Sequence, residues 1–341
     1  MYPPTVDIIV PVWNSTFETR ACLSAILAHS PDSRLIVVDN GSNRETQIML
    51  EEFSEPLGDK ALFLTSQRNL GLIPAINLGL ARADRDYAVI IRPHVTVTKG
   101  WLAALIAAAV PSDIGIVSPL FTGCCEKPLL RPNAECRQIE TFDISFNALL
   151  LKRGMVLWPD GFDEEMDGGE WCLKDFIRRA WTKGFHTSIT RASQVICGKE
   201  TIFGSEKRRQ EQLLTSRCKY QERWGVNRHY TVYFDKDAAV ETLQDALETI
   251  IHSARLGNRF SLLLHRQQNI LCIKKGWNFL HTGIEMIKLS ALLPQRDFIR
   301  KIKDIKAKEP ETILVRGTEN IIYPSSDTTI SFSSLAEDIK K

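Results

Sequence analysis

Through the first third of the chain, short apolar runs rich in β-branched residues alternate with stretches whose apolar residues recur every three or four positions. Residues 7–12 predict a strand. Ser15-Thr16-Phe17-Glu18 then has the pattern of a capping box, ahead of Cys22, Leu23, Ile26 and Leu27 at helical spacing. Residues 35–38 predict a second strand, and Ser42-Asn43-Arg44-Glu45 a second capping box before Ile48, Met49 and Phe53. Residues 61–64, 87–91 and 114–117 predict further strands, and 73–83 and 101–110 further helices. Strands apolar on both faces and separated by helices imply a parallel sheet covered on both sides. Such sheets take ligands at the carboxyl ends of their strands. That rule points to Trp13-Asn14, Asp39-Asn40-Gly41-Ser42 and Arg92-Pro93-His94.

From 119 to 147 the pattern is irregular. A strand over 144–151 and a helix over 169–183 follow, with Leu173, Phe176, Ile177, Ala180 and Trp181 inward and Gly184 as a C-terminal cap. Beyond Gly225 the character changes. Residues 237–254 form an amphipathic pattern through Val240, Leu243, Leu247, Ile250 and Ile251, and short strands and basic helices come after it. The expected organisation is a large α/β unit over 1–225, a smaller α/β accessory unit over 226–324 and a polar, mobile tail over 325–341.

Composition narrows this picture. The chain has 341 residues, 44% hydrophobic and 25% charged, with a net charge of +2. That balance gives no global attraction for nucleic acid. Charge is uneven, however: between Arg255 and Lys308 basic residues greatly outnumber acids. This is either a solvated helix face or a contact for an anionic lipid surface or acidic partner. The eight cysteines, including the adjacent Cys124 and Cys125, show no C-x-x-C pair, which fits reduced thiols. The first residues lack the basic and apolar regions of a signal peptide, and the longest apolar run, 101–110, is too short to span a bilayer. The expected location is the cytoplasm, with peripheral contact at the inner face of a membrane through the basic C-terminal region.

Candidate chemistry gathers at the strand ends. A carboxylate after a buried strand, as at Asp39, can accept a hydrogen bond from a base or ribose, although Asp39-Asn40-Gly41 is equally a turn signal. In Arg68-Asn69-Leu70-Gly71, Gly71 opens a helix whose amides can face an anion. Asn77 and Gly79 lie within that helix and weaken it, so each calls for close packing or for a side chain turned to a ligand. No G-x-G-x-x-G follows the first strand and no Walker loop is present, which argues against a dinucleotide oxidoreductase and a P-loop ATPase.

Taken in order, residues 6–14 (Val-Asp-Ile-Ile-Val-Pro-Val-Trp-Asn), 36–42 (Ile-Val-Val-Asp-Asn-Gly-Ser) and 68–80 resemble the inverting glycosyltransferases of family 2. The resemblance extends from Asp7 to about Gly225. It implies a GT-A-like, Rossmann-type, mostly parallel sheet with helices on both faces, and a nucleotide-diphosphate sugar as donor. It implies that Pro11, Trp13 and Asn14 border the nucleotide and that Asp39 reads its base, with Asn69, Gly71 and Asn77 in the same region. In the family the fourth strand ends in an acidic motif that binds a divalent cation, Mn²⁺ or Mg²⁺; here Arg92 and His94 stand in its place. Residues 161–174 resemble the segment that carries the family's catalytic base, which maps to Asp167 or Glu170, with Gly168 where an aspartate often stands. Both acids also fit compensation of a helix dipole. Cys197 stands near the place of the family's later metal-binding histidine, and Arg208 and Arg209 lie in a basic loop near the diphosphate.

Three readings follow. Arg92, Arg208 and Arg209 supply positive charge in place of a metal; or His94, with Cys197, holds a softer ion; or the domain binds a nucleotide sugar without turnover. The acceptor is a glycan, a lipid-linked group or a protein.

Overall fold

The computed structural model describes residues 3–123, 137–156, 161–168, 170–199, 205–318 and 328–340. Cys124 and Cys125, named above, lie outside them. The chain divides into two compact units, Met1–Gln138 with Asp143–Gly225, and Ile139–Phe142 with Val226–Lys341.

In the first half of unit one the strands are β1 (Val6–Val12), β2 (Arg34–Asn40), β3 (Ala61–Ser66), β4 (Tyr87–Ile91), β5 (Val95–Val97) and β6 (Ile114–Thr122). The short β7 (Gln138–Glu140), β8 (Ala148–Lys152) and β9 (His186–Cys197) follow. Between them lie the helices α1 (Thr16–His29), α2 (Arg44–Ser54), α3 (Leu72–Leu80), α4 (Trp101–Ala109), α5 (Arg153–Val156), α6 (Glu170–Thr182) and α7 (Glu206–Trp224). The sheet runs β3-β2-β1-β4-β8-β6-β9-β5. β1 pairs in parallel with β2 and β4, and β2 with β3. β8 enters antiparallel between β4 and β6. The mostly parallel sheet with helices on both faces is therefore as the pattern predicts.

Alternation along β1 divides the core. Ile8 and Val10 face Cys22, Leu23, Met49, Trp101 and Leu105 of α1, α2 and α4. On the opposite face α3 packs so closely that a Cβ at Gly79 would lie 2.5 Å from the Ile9 side chain. Gly79 is thus a packing glycine. Asn77 turns away from the sheet, donating to the Phe162 carbonyl at 2.8 Å and accepting from the Phe162 amide at 2.9 Å. A buried ion pair braces the amino-terminal edge: Arg34 reaches both carboxylate oxygens of Asp7, at 2.7 and 3.0 Å.

Neither capping box forms as predicted. Asn14 and Ser15 both adopt left-handed backbone conformations, φ 56° and 57°, which cost about 1 kcal/mol each outside glycine. Ser15 makes no side-chain cap. The pair is held instead by α2's entry loop, where Asn14 donates its amide to Ser42 Oγ at 2.9 Å and accepts from the Asn43 amide at 2.8 Å. Ser42 is therefore occupied, and Asn43 caps α2 one residue later by accepting from the Thr46 amide at 3.0 Å.

Unit two contains β10 (His229–Tyr233), α8 (Val240–Arg255), β11 (Arg259–Leu264), α9 (Arg266–Lys274), β12 (Ile284–Lys288), α10 (Pro294–Lys308), β13 (Ile313–Arg316), β14 (Ile330–Ser331) and α11 (Phe332–Lys340). Its strands are parallel in the order β12-β11-β10-β13-β14. Tyr230, Val232, Leu247, Phe260 and Leu335 fill one face; Leu263, Leu314, Phe298 and Ile302 fill the other. The tail expected to be mobile thus contains a strand and a helix over 330–340, because Leu335 is buried in this core. Among the described residues no helix is long and apolar enough to cross a membrane.

Candidate active site

A cavity of about 720 Å³ opens at the carboxyl ends of β1, β2 and β4. Pro11, Trp13 and Ser15 line it from the β1 exit, Asn40 from β2, and Asn69, Gly71 and Leu72 from the start of α3. Arg92, His94, Asp167, Arg208, Arg209 and Gln212 complete its wall.

A side-chain network around Asn40 shapes the β2 side. Asn40 donates to Asn69 Oδ1 at 2.9 Å and to the Gly71 carbonyl at 2.8 Å, and it accepts from the Leu70 amide at 2.9 Å. Its neighbour Asp39 is buried and accepts from the Ser42 amide at 2.9 Å, which ties down the turn. Asn14, Asp39 and Asn77 lie outside the cavity lining, each engaged in holding a loop. Pro11, Trp13, Asn69 and Gly71 are brought together within it. The strand-end rule points to Asn40 together with Asp39, and the structure places Asn40 in the cavity wall where the sequence favours Asp39, the more obvious chemical group.

The two acids separate clearly. Asp167 sits in the wall and accepts from the Ile73 amide at 3.1 Å, in the first turn of α3. Burial pushes its carboxyl up to about 6, against the opposing pull of the Ile73 and Leu72 amides. Glu170, whose side chain is 75% exposed, lies outside the cavity lining, with Lys174 at 3.8 Å on the same helix. Backbone geometry reserves the space for Asp167: Gly71 has φ +108°, and a Cβ there would lie 2.1 Å from Asp167 Oδ2.

Helix α7 forms the basic rim. It begins with Ser205 capping the Arg208 amide, and Arg208, Arg209, Gln212 and Leu213 face the cavity. Buried Asp175 of α6 fixes its far end by accepting from Arg223 at 2.8 Å and from the Trp224 indole at 2.7 Å. α7 also packs on the Asp167 loop. A Cβ at Gly168 would lie 2.4 Å from Ser216 Oγ and 2.6 Å from the Gln212 carbonyl, so no aspartate fits there without moving the helix.

The sequence pattern described as glycosyl transferase family 2 matches residues 7–162, which span the β1, β2 and β4 walls of this cavity. Unit one is a glycosyltransferase family 2 domain. The chain is similar to the inactive polypeptide N-acetylgalactosaminyltransferase-like protein 5 of Macaca fascicularis, 25% identical over 187 residues that make up 53% of this chain and 40% of that protein. It is also similar to glycosyltransferase GlyA of Streptococcus pneumoniae serotype 4, 31% identical over 87 residues, 25% of this chain and 12% of that protein. The chain therefore spans less than half the length of either relative. In fold it resembles the mannosyltransferase PcManGT from Pyrobaculum calidifontis, solved with GDP-Man and Mn²⁺ (TM-score 0.51, 17% identical, covering 65% of each chain). It likewise resembles GalNAc-T7, solved with UDP, GalNAc and Mn²⁺ (TM-score 0.54, 14% identical, covering 90% of this chain and 58% of that one). These similarities give the family 2 glycosyltransferase domain a GT-A fold.

In this glycosyltransferase domain His94 and Cys197 are linked through a residue the sequence reading missed. His94 Nε2 donates to Asn147 Oδ1 at 3.1 Å, and the Asn147 amide nitrogen lies 3.6 Å from Cys197 Sγ. Cys197 is buried and lies outside the cavity lining. An imidazole nitrogen already donating to an amide and a buried thiol do not form the oxygen-rich set that Mg²⁺ or Mn²⁺ prefers. Among the described residues no three His, Cys, Asp or Glu side chains converge as a metal site. The residues present do not fit such a cation, whereas the arginines of the same transferase cavity carry fixed positive charge.

Proposed function

We propose that this chain transfers a sugar from a nucleotide-diphosphate sugar to an acceptor hydroxyl with inversion, and that Asp167 is the general base. One observation carries this reading: the Asp167 carboxylate stands in the wall of the same cavity as Arg92, Arg208 and Arg209. In a single displacement the acceptor oxygen bonds to the anomeric carbon, its proton passes to Asp167, and the bond from that carbon to the diphosphate oxygen breaks. A carboxyl raised to about 6 is ionised at neutral pH yet holds a proton more strongly than an ordinary aspartate. Negative charge grows on the leaving diphosphate, and the arginines offset it. Trp13 offers an aromatic face at the β1 exit for stacking the base. The acceptor is a glycan, a lipid-linked group or a protein, and the positive wall favours one that carries negative charge.

A second reading has its own support. Arg92 and His94 replace the family's acids, and one relative is named inactive. In that reading the cavity binds a nucleotide sugar as a sensor or scaffold without turnover.

Release of nucleoside diphosphate from a panel of nucleotide-diphosphate sugars, in EDTA and with added Mn²⁺, separates the two. Turnover that persists in EDTA supports the arginine-based enzyme. Turnover that requires Mn²⁺ refutes it, and nucleotide binding without turnover supports the binding module.

A further inference from the structure

We infer that unit two carries a docking surface for an anionic lipid bilayer, formed by the loop before α10 and the outer face of that helix. The inference is independent of the transferase reading, because every residue it uses lies in unit two.

Leu292 is 91% exposed and Leu293 55% exposed, at the tip of the turn between β12 and α10. Both ends of this turn are fixed. Leu289 is buried, the Ser290 amide donates to Asp297 Oδ2 at 2.8 Å, and Pro294 begins the helix. The leucines are therefore held outward by a braced loop.

The helix behind them has two unlike faces. Phe298, Ile302 and Ile305 are buried against the sheet. At 100° per residue the opposite face carries Arg296, Arg300, Lys303 and Asp304, with Ile299 (43% exposed) at its edge. Arg300 pairs with Asp297. Among the described residues Arg296, Lys301, Lys303 and Lys308 have no carboxylate within ion-pair distance. The helix thus carries Arg296, Arg300, Lys301, Lys303, Lys306 and Lys308 against only Asp297 and Asp304, an excess of positive charge in a chain whose net charge is +2.

The combination selects the occupant. Basic side chains around exposed leucines match a surface of negative headgroups over hydrocarbon: the cations stay among the phosphates and the leucines enter the acyl boundary. Nucleic acid would satisfy the charges and leave both leucines in water.

The test is flotation of the full chain with vesicles of phosphatidylcholine alone and with vesicles that also contain phosphatidylglycerol. Binding is expected only to the mixed vesicles and weakens as salt rises. Arg296→Glu with Lys303→Glu should lower the partition coefficient at least about tenfold. Leu292→Glu with Leu293→Glu should lower it by about tenfold or more. Every position changed is at the surface of α10 or its leading loop, and unchanged thermal unfolding confirms that each variant folds. Absence of flotation, equal binding to both vesicle types, or binding unaffected by either pair of substitutions overturns the proposal. So does capture by immobilised polyglutamate without flotation, which would assign the face to an acidic polypeptide.

Discussion

The Asp167 carboxylate accepts a hydrogen bond from the backbone amide of Ile73 at 3.1 Å, which pins the loop before α6 to the first turn of α3. Two effects meet on this one group. The helix amides favour its charged form, as at any helix N-terminus. Burial opposes them and wins, so the carboxyl titrates near neutrality, at about 6.

Asp167→Asn keeps the shape and the acceptor oxygen while removing the base. Transfer should fall by about 10²–10⁴-fold with nucleotide affinity little changed. Glu170→Gln, on the exposed start of α6, should change the rate less than about twofold. Paired steady-state rates and nucleotide titrations check both.

The pH dependence has a definite sign. A carboxyl at about 6 in the folded chain, against 3.8 ordinarily, binds more protons folded than unfolded between those values. The stability from its protonated form is complete below the lower value and is lost as pH rises through about 6. Asp167→Asn should therefore be at least as stable as the parent above that pH, by on the order of 1–2 kcal/mol, with the advantage vanishing in acid. Denaturant unfolding across the range measures this. The transfer rate of the parent should rise through the same pH and then level.

Gly168→Ala places a methyl group against Ser216 Oγ and the Gln212 carbonyl, at 2.4 and 2.6 Å in the present packing. A main-chain oxygen cannot rotate away, so α7 has to shift. The expected cost is about 1–3 kcal/mol of stability, together with weaker nucleotide binding as Arg208 and Arg209 move. Urea unfolding and nucleotide titration read the two effects separately.

Arg208→Ala and Arg209→Ala should each weaken nucleoside diphosphate binding by about ten- to hundredfold, the range of a charge-assisted hydrogen bond. The loss should shrink as salt rises. Calorimetric titration at two ionic strengths gives both numbers.

The fold was legible where burial dominates. The runs at β1, β2 and β4 are apolar on both faces because helices cover both sides, and the strand-end rule led directly to Trp13 and His94 in the cavity wall. The α7 helix was not legible as a helix. It is polar along most of its length and buries only Ser216 and Tyr220, so hydrophobic periodicity is silent there. Ser205 ahead of Glu206, with Tyr220 and Trp224 four residues apart, was the available signal. Asn147 could not be found from sequence at all. Its place between His94 and Cys197 depends on β8 running antiparallel beside β4, a long-range pairing that no local pattern encodes.

In the proposed mechanism, fixed cations and Asp167 carry sugar transfer in this cavity without a divalent metal. Its most direct test is the release of nucleoside diphosphate by the parent chain and by Asp167→Asn, both in excess EDTA. That mechanism requires turnover by the parent and its near-complete loss in the variant. A parent that is silent in EDTA and restored by Mn²⁺, or a variant that turns over as fast as the parent, would contradict it.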